Sequence, residues 1–150
     1  KKFLPRVAVV ELDENGDSFL SVHTLYTDEE RETIERENIL ASIQIPSNSD
    51  SNKYSPSCQL AMGDKPDCLC LGYKNFIVVL HRSSGAFTIF TFSGEELEQI
   101  HSDSLHRFVV DAAIKQKTEN GVFELVALLS EENEKDGYLC KITLDIGTES

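Results

Sequence analysis

Hydrophobic and polar positions repeat one arrangement three times along the chain: an apolar strand, a polar turn with glycine, and a second alternating strand. The three copies span residues 7–22, 76–92 and 123–144, and their turns contain Gly16, Gly85 and Gly137. Two alternating apolar runs joined by such a turn predict a β-hairpin. Because the hairpins recur at regular spacing, we expect an all-β protein built from antiparallel meanders.

The turn between the first two predicted strands contains an Asn-Gly pair, which tolerates the positive φ angles of a tight hairpin. The spacing of Asp13, Asn15 and Asp17 is similar to the start of a calcium-binding loop. Such a loop also needs glycine at its sixth position and glutamate at its twelfth, where this chain has Ser18 and Thr24. The sequence therefore predicts a hairpin turn here.

Residues 27–38 differ from the rest, because Thr27 and Glu30 form a capping box that predicts one short surface helix. The acidic side chains of this segment are the candidate protein-binding residues Asp28, Glu29, Glu30, Glu32 and Glu35. A strand is expected at 39–45, ended by Pro46, because proline cannot donate to a sheet ladder. The polar residues 47–57 then predict a flexible loop.

From Cys68 onward the pattern predicts four short strands followed by three more. The predicted strands are 68–72, 76–81, 86–92, 97–100, 108–114, 123–129 and 138–146. Gly85 and Gly137 occupy matching places in the two groups, separated by roughly the 50 residues of some propeller repeats. The seven strands therefore read as one four-stranded unit and most of a second.

This pattern resembles the WD40-like β-propellers over about half of the chain. The Trp-Asp dipeptide of the family is missing, and Thr91-Phe92 and Thr143-Leu144 lie where it is expected. The Gly-His pair that opens each blade is absent too. The resemblance implies a divergent propeller of which residues 1–150 form a single all-β region. Three or four blades do not close a ring, and the chain begins without Met, so we expect part of a larger propeller. A closed β-barrel or a sandwich is the alternative fold.

The net charge limits which binding partners are expected, and the cysteines indicate the cellular compartment. The net charge is −12, with 14 basic residues among 26 acidic ones, so nucleic acid and membrane surfaces are not expected partners. The expected partners are other proteins, which would bind through a basic surface, or the remaining blades of the same chain. Cys68 and Cys70 alternate on one strand face, which predicts buried free thiols. Together with the absence of an Asn-x-Ser/Thr acceptor, free thiols predict an intracellular location, cytoplasmic or nuclear.

The sequence contains no hydrolase, phosphate-loop or paired-cysteine motif, so we expect no enzyme, cofactor or metal. His101, Asp103 and His106 are close together, but they fall in a predicted exposed connector at 100–107. The aromatic positions 76, 87, 90 and 92 are expected in the core, since both faces of their strands carry bulky apolar groups.

These expectations favour a non-catalytic protein-interaction scaffold, a propeller portion of a larger intracellular multiprotein complex. Its acidic segment at 28–37 would bind a basic partner. The alternative is a self-contained β-barrel that binds a small apolar ligand, with or without enzymatic activity. That alternative requires one interior cavity lined by Phe76, Val78, Phe90 and Ile142.

Overall fold

The computed structural model describes residues 6–24, 39–46, 67–116, 122–130 and 137–145. They form ten strands: β1 (Arg6–Leu12), β2 (Ser18–Thr24), β3 (Ile39–Gln44), β4 (Cys68–Tyr73), β5 (Phe76–His81), β6 (Ala86–Phe92), β7 (Leu97–Ser104), β8 (Phe108–Gln116), β9 (Val122–Ser130) and β10 (Gly137–Asp145). The prediction of an all-β protein is confirmed. In these ranges there is no helix with the length and apolar character needed to cross a bilayer.

The strands form three antiparallel sheets, in each of which strands adjacent in sequence are also paired in space. Sheet A contains β1–β3, sheet B contains β4–β7 and sheet C contains β8–β10. The predicted meanders and the division into four strands followed by three are confirmed. None of the three sheets closes on itself, so the described strands do not form the closed barrel of the alternative prediction.

Sheet B lies between the other two sheets, because its central strands, β5 and β6, are apolar on both faces. The first core joins sheets A and B and contains Leu20, Val22, Ile45, Ile77, Val79 and Phe90. The second core joins sheets B and C and contains Val78, Leu80, Phe87, Ile89, Val109, Phe123, Leu125, Ala127, Leu129 and Leu144. Successive side chains of a strand point to opposite faces, so β5 contributes alternately to the two cores.

The aromatic positions of β5 and β6 lie in the core, as predicted. Phe87 and Phe90 are fully buried on opposite faces of β6, and Phe92 packs beside Phe90 in the first core. Phe76 packs on the second core, with its ring centroid 5.7 Å from that of Phe123.

The predicted apolar ligand cavity is wrong. Val78 and Ile142 belong to the second core, whereas Phe90 belongs to the first, so sheet B separates them. Residues on opposite faces of one sheet cannot line a single interior cavity.

The three sheets are stacked in the same strand order. The first strand of sheet B, β4, contacts both β1 and β8, which are the first strands of sheets A and C. The last strands of sheets A and B, β3 and β7, also contact each other. The first strands of the three sheets therefore lie side by side, and so do the last strands of sheets A and B.

The turns follow the sequence closely. Asp13 Oδ1 accepts hydrogen bonds from the amides of Asn15 (2.9 Å) and Asp17 (2.8 Å), so this segment forms the predicted hairpin turn. Gly85 directly precedes the third strand of sheet B and Gly137 begins the third strand of sheet C, which confirms their matching places. The helix predicted at 27–38 and the loop predicted at 47–57 lie outside the described residues.

Candidate functional site

A cluster of three chemically reactive side chains lies at the open end of the β4–β5 hairpin. The turn residues Lys74 and Asn75 set the register of this hairpin, which pairs Cys68 with His81. Directly opposite residues of an antiparallel pair present their side chains on the same face. Asp67 immediately precedes β4, so a carboxylate joins the thiol and the imidazole.

One imidazole nitrogen faces both of the other groups. His81 Nδ1 lies 3.2 Å from Asp67 Oδ2 and 3.4 Å from Cys68 Sγ. The other carboxylate oxygen, Asp67 Oδ1, accepts a hydrogen bond from the amide of Ser83 at 2.9 Å. The carbonyl oxygen of Asp67 accepts another from the amide of Arg82 at 2.8 Å. Backbone amides of the turn that follows β5 therefore hold Asp67 in place.

His81 is 7% exposed, and its Nε2 atom is buried without a hydrogen-bond partner among the described residues. Burial by itself lowers the pKa of His81, but hydrogen bonds to Asp67 and Cys68 and the negative charge of these groups outweigh it. The result is a pKa raised from 6.5 to about 9. At neutral pH the ring is therefore protonated and pairs with Asp67.

The cluster forms part of the wall of a cavity of about 740 Å³ between sheet A and β4. Apolar residues of β1 form another part of the wall, with Ile45 beside them. Cys70 lines the same cavity as Cys68, which confirms that the two cysteines share one face. An open space between sheet A and β4 thus adjoins the three reactive groups.

The prediction of buried thiols is wrong for Cys70, which is exposed, whereas Cys68 and Cys140 are half-buried. All three are free, and Cys58 lies outside the described residues. Neighbouring atoms desolvate the thiol of Cys70, and this effect, followed by the charge of Cys68, raises its pKa to about 11. Cys70 is therefore a protonated thiol at neutral pH.

The histidines that the sequence singled out lie elsewhere. The predicted connector at 100–107 is wrong in its first part, because residues 100–104 continue β7 along β6. His101 and Asp103 share one face of this edge strand, with His101 Nε2 4.0 Å from Asp103 Oδ2, and both are exposed. His106 follows the strand, is exposed and has a φ angle of 55°. The structure therefore does not bring these three residues together as one buried site.

The five candidate protein-binding residues, Asp28, Glu29, Glu30, Glu32 and Glu35, lie outside the described residues. Sequence reasoning missed the cluster of Asp67, Cys68 and His81. A usable signal was present, because the two predicted strands flank a short turn. A two-residue turn at Lys74 and Asn75 places Cys68 opposite His81.

Comparisons with protein-family models, with curated proteins and with solved structures give no match to this chain.

Proposed function

We propose that this chain is a non-catalytic protein-interaction scaffold whose three sheets are successive blades of a β-propeller within a larger intracellular complex. The observation that supports this proposal most is the stacking of the sheets in the same strand order. Radial repetition of meander blades places their first strands side by side near the axis, with the later strands following in the same order toward the rim. The contacts of β4 with β1 and β8, and of β3 with β7, fit that arrangement.

The charge of the chain supports a basic protein as the partner. Acidic side chains outnumber basic ones 26 to 14, so the surface field attracts a positively charged surface and speeds its encounter. Within the described residues, Glu95, Glu96 and Glu98 are exposed along one edge of sheet B. The segment with Asp28, Glu29, Glu30, Glu32 and Glu35 carries a denser run of acids, and we propose it as the binding segment.

Charge reversal tests the binding segment. Replacing Glu29, Glu30, Glu32 and Glu35 with Lys is expected to reduce co-purification of a native partner at least tenfold, because attraction becomes repulsion. Quantitative mass spectrometry of affinity-purified complexes from cells measures the recovery. The complex of the wild-type chain should also weaken as salt increases, since screening shortens the range of the attraction.

The matched control reverses four other acids, Glu14, Glu95, Glu96 and Glu98, which are all exposed. This control has the same net charge as the test variant and is expected to retain the partner. Unchanged recovery with the test variant would show that the segment does not bind. Equal loss in both variants would show that net charge alone governs the interaction.

A further inference from the structure

We propose that Asp67, Cys68 and His81 bind a single Zn²⁺ ion, with the fourth coordination position open to the cavity between sheet A and β4. The three residues offer one oxygen, one sulphur and one nitrogen atom, and these atoms all lie within 4.8 Å of one another. Carboxylate, thiolate and imidazole are the protein ligands that Zn²⁺ takes. The site is independent of the proposed scaffold function, because it is built within one hairpin of sheet B.

The distances between the ligand atoms fit a tetrahedral ion. With Zn–N and Zn–O distances of about 2.0 Å and a Zn–S distance of about 2.3 Å, tetrahedral angles place N and O about 3.3 Å apart and N and S about 3.5 Å apart. His81 Nδ1 lies 3.2 Å from Asp67 Oδ2 and 3.4 Å from Cys68 Sγ. The two distances from His81 Nδ1 therefore match those around a tetrahedral ion, and the remaining pair, the Asp67 oxygen and the Cys68 sulphur, lies within 4.8 Å.

The surrounding backbone holds the ligands in position. The β4–β5 ladder sets Cys68 opposite His81, and the Ser83 amide fixes the Asp67 carboxylate through Oδ1. Hydrogen bonds of this kind orient metal ligands and increase their affinity for the ion. The ion would enter from the cavity that Asp67, Cys68 and His81 line.

The buried Nε2 atom of His81 is compatible with this assignment. Coordination through Nδ1 leaves the ring proton on Nε2, which has no partner among the described residues. Nδ1 is the ring nitrogen that faces Asp67 and Cys68, so coordination uses the atom that already points toward the other two ligands.

Cys70 is not one of the three ligands. It lies two residues beyond Cys68 on the same face and lines the same cavity, but the group of atoms within 4.8 Å does not include its sulphur. The described residues add no fourth protein ligand to this group, so the proposal leaves that position to water, and Cys70→Ala is expected to retain zinc binding.

A zinc competition titration tests the site. The full chain is reduced, stripped of metal and titrated with Zn²⁺ against a chromophoric chelator, and one tightly bound ion per chain is expected. Loss of a group that only hydrogen-bonds to a metal ligand weakens metal binding by roughly 10–100-fold. Loss of the ligand itself costs more, so Asp67→Asn, Cys68→Ala and His81→Gln should each weaken zinc binding by more than this. The matched controls Asp103→Asn, Cys140→Ala and His101→Gln should bind as the wild type does.

Two results would overturn the proposal: no zinc uptake by the wild-type chain, or equal binding by the ligand variants and the controls. Equal binding would identify adventitious uptake by the acidic surface. Circular dichroism in chelator checks that each variant is folded. If His81→Gln does not fold, X-ray absorption spectroscopy of the zinc-loaded wild-type chain tests the ligand set instead. One sulphur ligand is expected, and a coordination shell of only nitrogen and oxygen would contradict the proposed site.

Discussion

Arg82 shows how one side chain joins two sheets. It is 4% exposed and follows β5, and its Nε atom donates a hydrogen bond to the carbonyl oxygen of Val109 at 3.2 Å. A second guanidinium nitrogen donates to the carbonyl oxygen of Val110. The register of β8 against β9 shifts between Val109 and Asp111, so Val110 is the extra residue of a bulge. Arg82 therefore binds carbonyl groups at a place where the ladder is interrupted.

Replacing Arg82 with Met is expected to destabilise the fold by about 2–4 kcal/mol. The substitution keeps much of the side-chain volume but removes the donors that satisfy buried carbonyl groups. Urea unfolding followed by circular dichroism measures the change in the free energy of unfolding. Lys115→Met, at an exposed position on sheet C, is the control, and a loss no greater than that of the control would contradict this role.

At the residue scale the sequence predicted little of the candidate site. The oxygen, sulphur and nitrogen atoms of Asp67, Cys68 and His81 approach one another only because of strand register, which depends on the turn between β4 and β5. The sequence analysis predicted no metal, and the proposed zinc site departs from that prediction. His101 and Asp103 attracted attention because they are close in sequence, but both are exposed on an edge strand.

Among the elements, the turn between β5 and β6 depends most on a single residue. Gly85 has a φ angle of 78°, and a Cβ atom built on it would lie 2.6 Å from the carbonyl oxygen of Arg107. Its amide donates to the carbonyl oxygen of His81, and its own carbonyl oxygen accepts from the amide of Leu105. Glycine is therefore required here both for the backbone conformation and for the close approach of the 105–107 segment.

Three glycine-to-alanine variants separate these two effects. Gly85→Ala is expected to cost more than about 2 kcal/mol, because backbone strain and a backbone clash combine. Gly16→Ala should cost about 1 kcal/mol, since its φ angle is 83° but a Cβ atom meets nothing within 4 Å. Gly72→Ala, in open space without a positive φ angle, should leave stability unchanged or raise it slightly.

Thermal and urea unfolding of the three variants measure this order. If Gly85→Ala were no worse than Gly16→Ala, the contact with Arg107 would not constrain the turn. Loss of stability in Gly72→Ala would show that β4 does not tolerate a side chain at that position.

Strand β7 shows why polarity alone mispredicts an element. Residues 101–104 are polar, and from sequence they were expected in a connector. In the structure Ser102 and Asp103 pair with Thr88 and Phe87 of β6. An edge strand is stabilised by backbone hydrogen bonds on one side while its side chains face water, and polar residues are common there.

For the whole molecule, the outer face of sheet C carries an apolar pair. Leu128 and Leu139 lie directly opposite each other on β9 and β10, and they are 39% and 58% exposed. Their inward-facing neighbours fill the second core, so this pair lies on the side away from sheet B. In the proposed propeller, this is the face against which a further blade would pack.

Replacing both Leu128 and Leu139 with Thr tests that role. The variant is expected to self-associate less than the wild-type chain, because burial of each leucine would contribute about 1.5–3 kcal/mol to a packed face. Sedimentation velocity over a range of concentrations measures association. Leu12→Thr, at a 73% exposed position on sheet A, is the control. Association unchanged in the double variant would mean that the outer face of sheet C has no apolar partner.

The sequence by itself determined the strands, the hairpins and their grouping into four and three. These features are local: alternation with a period of two defines a strand, and Gly, Asn and Asp define its turns. The double-sided burial of β6 was also readable, because both of its faces are apolar. Between residues 68 and 145 all seven predicted strands occur in the predicted order, and the main difference is that β7 continues to Ser104.

Only the tertiary structure decided which faces meet. Val78 and Phe90 are both buried, but their cores lie on opposite sides of sheet B, and sequence spacing across two strands did not separate them. The meeting of Cys68 with His81, and the cavity beside them, depend on register and on the packing of sheet A against sheet B. Contacts between residues distant in sequence depend on how whole sheets stack, because each strand's own pattern specifies an apolar face but not its partner.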